Sequence, residues 1–129
     1  MHHIEIYVKN LEVTRAFYSK LLEVLNYELY QNWELGFSYK KNGFYIVFVQ
    51  VRDKYIDNGY NRCNIGLNHL AFKCSSKRKI DEIRDILMEE NVNLLYDEKY
   101  PYAGGESHYA LYFEDPDRIK LEIVFCEEE

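Results

Sequence analysis

The chain is written twice. His3-Ile4-Glu5-Ile6-Tyr7-Val8 and His69-Leu70-Ala71-Phe72-Lys73-Cys74 both read as short strands opening on histidine, and the step from residue 3 to residue 69 is 66. The same offset sets Phe17 against Ile83, Leu21 against Leu87, Leu22 against Met88 and Leu29 against Leu95. Each first strand is followed by a helical stripe: Val13, Phe17, Leu21 and Val24 in one half, Ile80, Ile83 and Leu87 in the other. Asn10 and either Ser75 or Ser76 supply side-chain oxygens suited to capping the helix starts. Asparagine-containing junctions (Asn26; Asn91 and Asn93) then lead into three strand-like runs per half. In the first half these are about 27–32, 35–40 and 44–51, with Asn42-Gly43 as a hairpin turn; in the second, about 93–98, 108–114 and 119–125. The expected fold class is α+β: two βαβββ modules, with helices on one side of curved antiparallel sheets. Module 1 covers about 1–58 and module 2 about 66–127 of a single domain 1–129, with Asp57 to Gly66 as linker.

With 47% hydrophobic residues among 129, one respectable core is within reach. A net charge of −6 and the absence of a lysine/arginine stripe argue against nucleic acid as a partner. No apolar run approaches the roughly 20 residues needed to cross a bilayer. The first residues lack a charged region followed by an apolar stretch, so secretion is not expected. Cys63, Cys74 and Cys126 are odd in number and widely spaced, which suits reduced thiols in a cytoplasmic protein.

Chemistry concentrates where strand parity gathers polar residues. Tyr112 to Val124 reads as a strand, a turn at Asp115-Pro116-Asp117, and a returning strand. Ile119, Leu121 and Ile123 share one face of that strand, leaving Glu122 on the other. A mid-strand carboxylate either pairs with a cation or binds a metal, because an unpaired buried charge is too costly. Parity also turns His3, Glu5 and Tyr7 away from the first helix, and His69, Ala71 and Lys73 away from the second. His3, His69 and Glu122 together make a two-imidazole, one-carboxylate set suited to a borderline divalent metal that keeps positions open. Singly, each has a plainer reading: a terminal surface histidine, a satisfied core or edge histidine, and a glutamate paired with Lys120 or Lys73.

These residues resemble the vicinal oxygen chelate superfamily, which groups glyoxalase I, extradiol dioxygenases, fosfomycin-resistance enzymes and bleomycin-binding proteins. The resemblance rests on His3 to Val8 with Leu11 and Phe17-Tyr18, on Asn68 to Phe72, and on Tyr112 to Val124, and covers essentially the whole chain. It implies paired βαβββ modules around one divalent ion (Zn, Ni, Co, Mn or Fe(II)) held by His3, His69 and Glu122. It also implies a homodimer whose sites are shared between modules, acting on a small-molecule substrate. Glyoxalase I carries a further glutamate on the last strand of its first module. Aligning Gly43 with Arg118 puts Val47 there, and Gln50 is the only polar candidate nearby, so that activity is disfavoured.

The expected function is therefore metal-dependent Lewis-acid catalysis on an oxygen-chelating substrate. Glu5 is the candidate general base, Tyr112 a catalytic hydrogen-bond donor, and His108, Tyr102, Gly104, Gly105, Gln50 and Trp33 the substrate-binding set. Tyr100, Tyr102 and the two glycines would form a cover over the site. The alternative is a non-catalytic, drug-sequestering protein of the bleomycin-resistance type, which the thirteen tyrosines also suit.

Overall fold

The computed structural model describes residues 1–128. The chain divides into two compact units, Met1–Gly59 and Tyr60–Glu129.

The first unit contains β1 (His3–Val8), α1 (Leu11–Val24), β2 (Glu28–Trp33), β3 (Gly36–Lys41) and β4 (Phe44–Gln50). Its sheet has the order β1-β4-β3-β2. The second unit contains β5 (Leu70–Cys74), α2 (Lys77–Glu89), β6 (Leu94–Leu95), β7 (Ala110–Glu114) and β8 (Lys120–Phe125), in the order β5-β8-β7-β6. The βαβββ order is thus present twice. The sheets are mixed rather than wholly antiparallel, because β1 runs parallel to β4 and β5 parallel to β8. A helical crossover returns the chain in the direction in which it left, and the last strand slots beside the first.

Both helices are bounded by local chemistry. Asn10 Oδ1 accepts from Val13 N–H and Ser76 Oγ from Lys79 N–H. Both end alike, with an asparagine in the left-handed region: Asn26 at φ +70° and Asn91 at φ +58°. The next N–H reaches back to Leu22 or Leu87, closing a Schellman motif that satisfies carbonyls the helix leaves open. The buried stripe of α1 is Leu11, Thr14, Tyr18, Leu21 and Leu22, one position round from the expected Val13/Phe17 stripe, and Val13 is half exposed. The tyrosine ring decides this rotation: Tyr18 packs 4.3 Å from Phe48. In α2 the expected Ile80, Ile83 and Leu87 are the buried residues.

The hairpins follow their turn residues. Asn42 and Gly43 both have positive φ, as a two-residue turn that matches strand twist requires. Asp115 Oδ1 accepts from the N–H groups of Asp117 and Ile119, and Arg118 takes φ +66°, which turns β7 into β8. The expected strand 93–98 is reduced to Leu94–Leu95. Tyr96 adopts a left-handed conformation, and a 3-10 turn at Asp97–Lys99 follows, where Asp97 takes a two-pronged ion pair from Arg84 of α2. The segment read as a linker is not slack. Arg62 forms an ion pair with Glu114 at the end of β7, tying it into the second unit.

Candidate functional site

Glu122 sits in the middle of β8, flanked by Ala71 on β5 and Tyr112 on β7, on the face turned away from α2. It is 4% exposed. Its oxygens meet two imidazoles rather than a lysine: Oε1 lies 3.0 Å from His69 Nε2 and Oε2 lies 2.5 Å from His108 Nε2. A carboxylate only accepts, so a proton or another cation must stand on each of these lines. His69, immediately before β5, is held from behind by Asn68, whose Oδ1 is 2.7 Å from Nδ1. Such an outer contact orients an imidazole and sets which nitrogen it offers forward.

His108 is delivered by the loop before β7. Its N–H donates to Gly105 O, and Ala110 N–H donates to Pro101 O, closing the loop at its base. Gly104 presses against the site, since a Cβ there would lie 2.6 Å from His108 Cδ2 and 2.7 Å from the Tyr112 hydroxyl. Burial, and then the charge and hydrogen bond of Glu122, push the Tyr112 phenol above its usual range, so it stays protonated and able to donate.

Four of the expected residues, His69, His108, Tyr112 and Glu122, therefore meet in one cluster with Gly104 against it. Sequence parity assigned His108 to a pocket wall, but its direct contact with Glu122 follows from loop closure. Asn68 is a contributor that only its adjacency to His69 in sequence could have suggested.

Other candidates are placed differently. Tyr100 and Tyr109 both donate to Asp81 Oδ1 on α2, at 2.5 Å each, so Tyr100 is anchored to the helix instead of covering the site. Burial raises the Tyr100 phenol further above its usual range. Tyr102 turns its ring to Tyr109, 5.8 Å away and edge-on. Gly105 supplies a φ of +126° for the loop bend, and a Cβ added there would point into open space.

In the first unit, His3, Glu5 and Tyr7 lie exposed on one face of β1, as parity requires. The His3 ring stacks on Tyr45 at 4.7 Å, with its Nδ1 2.8 Å from His2 Nδ1. Trp33 lies over Gly36. Gln50 is consumed by a backbone role: its Oε1 accepts from Leu11 N–H and its Nε2 donates to Lys9 O. It caps the start of α1 and is turned to the parity of Val8, its partner across the strands. Register also equates Val47 with Glu122, because β1–β4 sets Glu5 opposite Val47 just as β5–β8 sets Ala71 opposite Glu122.

His69 and His108 stand at different oxygens of Glu122 instead of around one point. Among the described residues, no three His, Cys, Asp or Glu side chains are grouped to hold a metal by themselves. The donor chemistry of the His69–Glu122 pair nevertheless fits a divalent ion: an oriented imidazole nitrogen beside a buried carboxylate oxygen, with a cation called for between them.

The glyoxalase/bleomycin resistance protein/dioxygenase superfamily model matches residues 2–112, and the chain belongs to that superfamily. The protein YqjT of Bacillus subtilis is 47% identical over 124 residues, spanning 96% of this chain and 97% of that one. The crystal structure of a proposed glyoxalase from Bacillus halodurans superposes with a TM-score of 0.95 at 47% identity, covering 98% of this chain and 95% of that one. The fosfomycin resistance protein FosX of Listeria monocytogenes shares the fold, with a TM-score of 0.70 at 23% identity, covering 98% of this chain and 92% of that one.

Proposed function

We propose that the protein is a divalent-metal-dependent enzyme acting on a small substrate that offers neighbouring oxygens. The observation that carries this reading is a carboxylate, Glu122, buried between two imidazole Nε2 atoms. His69 and Glu122 are assigned as metal ligands. His3 is proposed as a further ligand and Glu5, two residues on along the same face of β1, as general base; both assignments come from the superfamily resemblance and strand parity. When bound, the ion supplies Lewis-acid polarisation of a substrate oxygen.

The remaining groups act through position and protons. Asn68 holds the His69 ring in one orientation, which keeps Nε2 aimed at Glu122. His108, on the second carboxylate oxygen, is suited to take up or release a proton at Nε2 beside the reacting centre. The Tyr112 phenol, kept neutral, donates a hydrogen bond without adding charge. Gly104 brings backbone against both and narrows the room for water over them.

A second reading, ligand sequestration, draws on the exposed aromatics Tyr7, Tyr30 and Trp33 of the first unit. Metal analysis separates the two. Protein purified without a histidine tag should carry about one ion per chain, and His69→Ala and Glu122→Gln should lose it. A metal-replete screen against dicarbonyls, catechols and epoxides would then define the reaction. A wild type that stays metal-free after exposure to manganese, iron, nickel and zinc would refute the enzyme reading and leave sequestration.

A further inference from the structure

We infer that Lys120, framed by Tyr96 and Tyr112, is an anion-recognition subsite, so that the substrate is an organic acid with a second negative group beyond its chelating oxygens. The inference rests on the proposed function of the Glu122 cluster and adds the substrate class. Lys120 stands two residues before Glu122 on β8, and alternation puts both side chains on the face away from α2. Among the described residues, the ion pairs of the Glu122 carboxylate go to His69 and His108 rather than to Lys120. The Lys120 Nζ donates to the Tyr96 hydroxyl at 3.0 Å and lies 4.8 Å from the Tyr96 ring centre and 5.3 Å from that of Tyr112.

Its neighbour across the strands is Glu114, which is already occupied. That carboxylate accepts from Asn93 Nδ2 at 2.6 Å and pairs with Arg62, while Arg118 lies 3.5 Å away. Among the described residues, the polar and ring contacts of the Lys120 ammonium are thus one neutral oxygen and two ring faces. An ammonium has three N–H donors, and the Tyr96 hydroxyl uses one.

The framing is built at a conformational cost. Tyr96 takes φ +55°, a region uncommon for an aromatic residue, and this turn sets its ring 5.5 Å from that of Tyr112 at the end of β6. Tyr112 in turn is the direct strand partner of Glu122, and its ring is 6.4 Å from that of His69. The ring of Tyr112 thus forms the floor between Lys120 and the His69–Glu122 pair.

Two residues along a strand place the Cα atoms of Lys120 and Glu122 roughly 6–7 Å apart, so the second anionic group stands only a short carbon chain from the chelating oxygens. A short dicarboxylate, or a carboxylate with a phosphonate or phosphate tail, meets that requirement. A neutral tail of the same length leaves the ammonium unanswered.

Two probes share one head and differ only in the tail: 2-hydroxyglutarate and 2-hydroxypentanoate. Isothermal titration calorimetry on the metal-loaded, full-length protein compares them. Wild type should bind 2-hydroxyglutarate about tenfold more tightly, as one charge-assisted hydrogen bond allows. Lys120→Met should bring the two affinities together by weakening only the first, and its unchanged affinity for 2-hydroxypentanoate shows that the variant is folded. Lys120→Arg should restore most of the preference. Equal binding of both probes by wild type, or a preference that survives in Lys120→Met, would overturn the subsite while leaving the Glu122 site standing. Metal-loaded wild type that binds neither probe would overturn the dianion assignment alone, whereas protein that takes up no metal at the loading step would overturn the Glu122 reading itself.

Discussion

Two adjacent glycines should fail for different reasons when replaced by alanine, and the contrast tests how the loop before β7 governs the site. Gly104 has open backbone geometry for any residue, but its added methyl would lie 2.6 Å from His108 Cδ2 and 2.7 Å from the Tyr112 hydroxyl, where ordinary contact is 3.4–4 Å. Relief requires a shift of roughly 1 Å by the His108 ring together with a smaller adjustment between the Gly104 backbone and the Tyr112 hydroxyl, and overpacking of this kind costs about 1–3 kcal/mol. Stiffening of the unfolded chain returns about 0.4–1 kcal/mol, so Gly104→Ala should destabilise by about 1–2 kcal/mol net.

Tyr112 is 9% exposed and held within the sheet, so the half-exposed His108 ring is the group that gives way. Its 2.5 Å contact with Glu122 should be lost. Gly105→Ala meets no atom within 4 Å yet must hold φ +126°, so its cost of about 1–3 kcal/mol is purely backbone strain. Urea denaturation measures both stabilities, and imidazole 15N resonances report the His108 ring. Unaltered stability together with an unshifted His108 signal in Gly104→Ala would refute the close packing described here.

Two further outcomes follow from groups outside the reacting cluster. Burial raises the Glu114 carboxyl, but hydrogen bonds from Asn93 and Arg62, with the charge of Arg118, outweigh it and hold the group below its ordinary value of 4.5. Its stabilising contribution is then full above that value and lost as pH falls through the lower folded one. Arg62→Met should cost about 1.5–3 kcal/mol near neutrality, because Asn93 and Arg118 still meet the carboxylate, with the gap from wild type closing in acid; a gap independent of pH in urea melts would count against the pair. Gln50→Ala strips the start of α1 of a cap on Leu11 N–H and a donor to Lys9 O, and should lower stability by about 1–2 kcal/mol without changing metal content; loss of metal would return Gln50 to the site.

Residues that act on near neighbours were legible in the chain itself. Asn10 and Ser76 cap the helices, Asn42-Gly43 turns the hairpin, and the face opposite α2 carries His69 and Glu122, because each of these depends on a few adjacent residues and on strand parity. The buried stripe of α1 lies one position from the expected one, because Phe17 is the more apolar of the two neighbours in sequence and only packing against the ring of Phe48 selects Tyr18.

What lay in the sequence, then, was the doubled βαβββ order, the caps and turns, and which side of each strand a residue occupies. Tertiary structure alone decided that the first and last strands of each sheet run parallel, that Gln50 serves a helix start, that Asp81 claims Tyr100, and that His108 closes on Glu122. The physical reason is range: periodicity and capping operate over a single turn or a strand pair. The partners of Glu122, by contrast, come from 14 and 53 residues away, and only sheet register and loop closure bring them to one carboxylate.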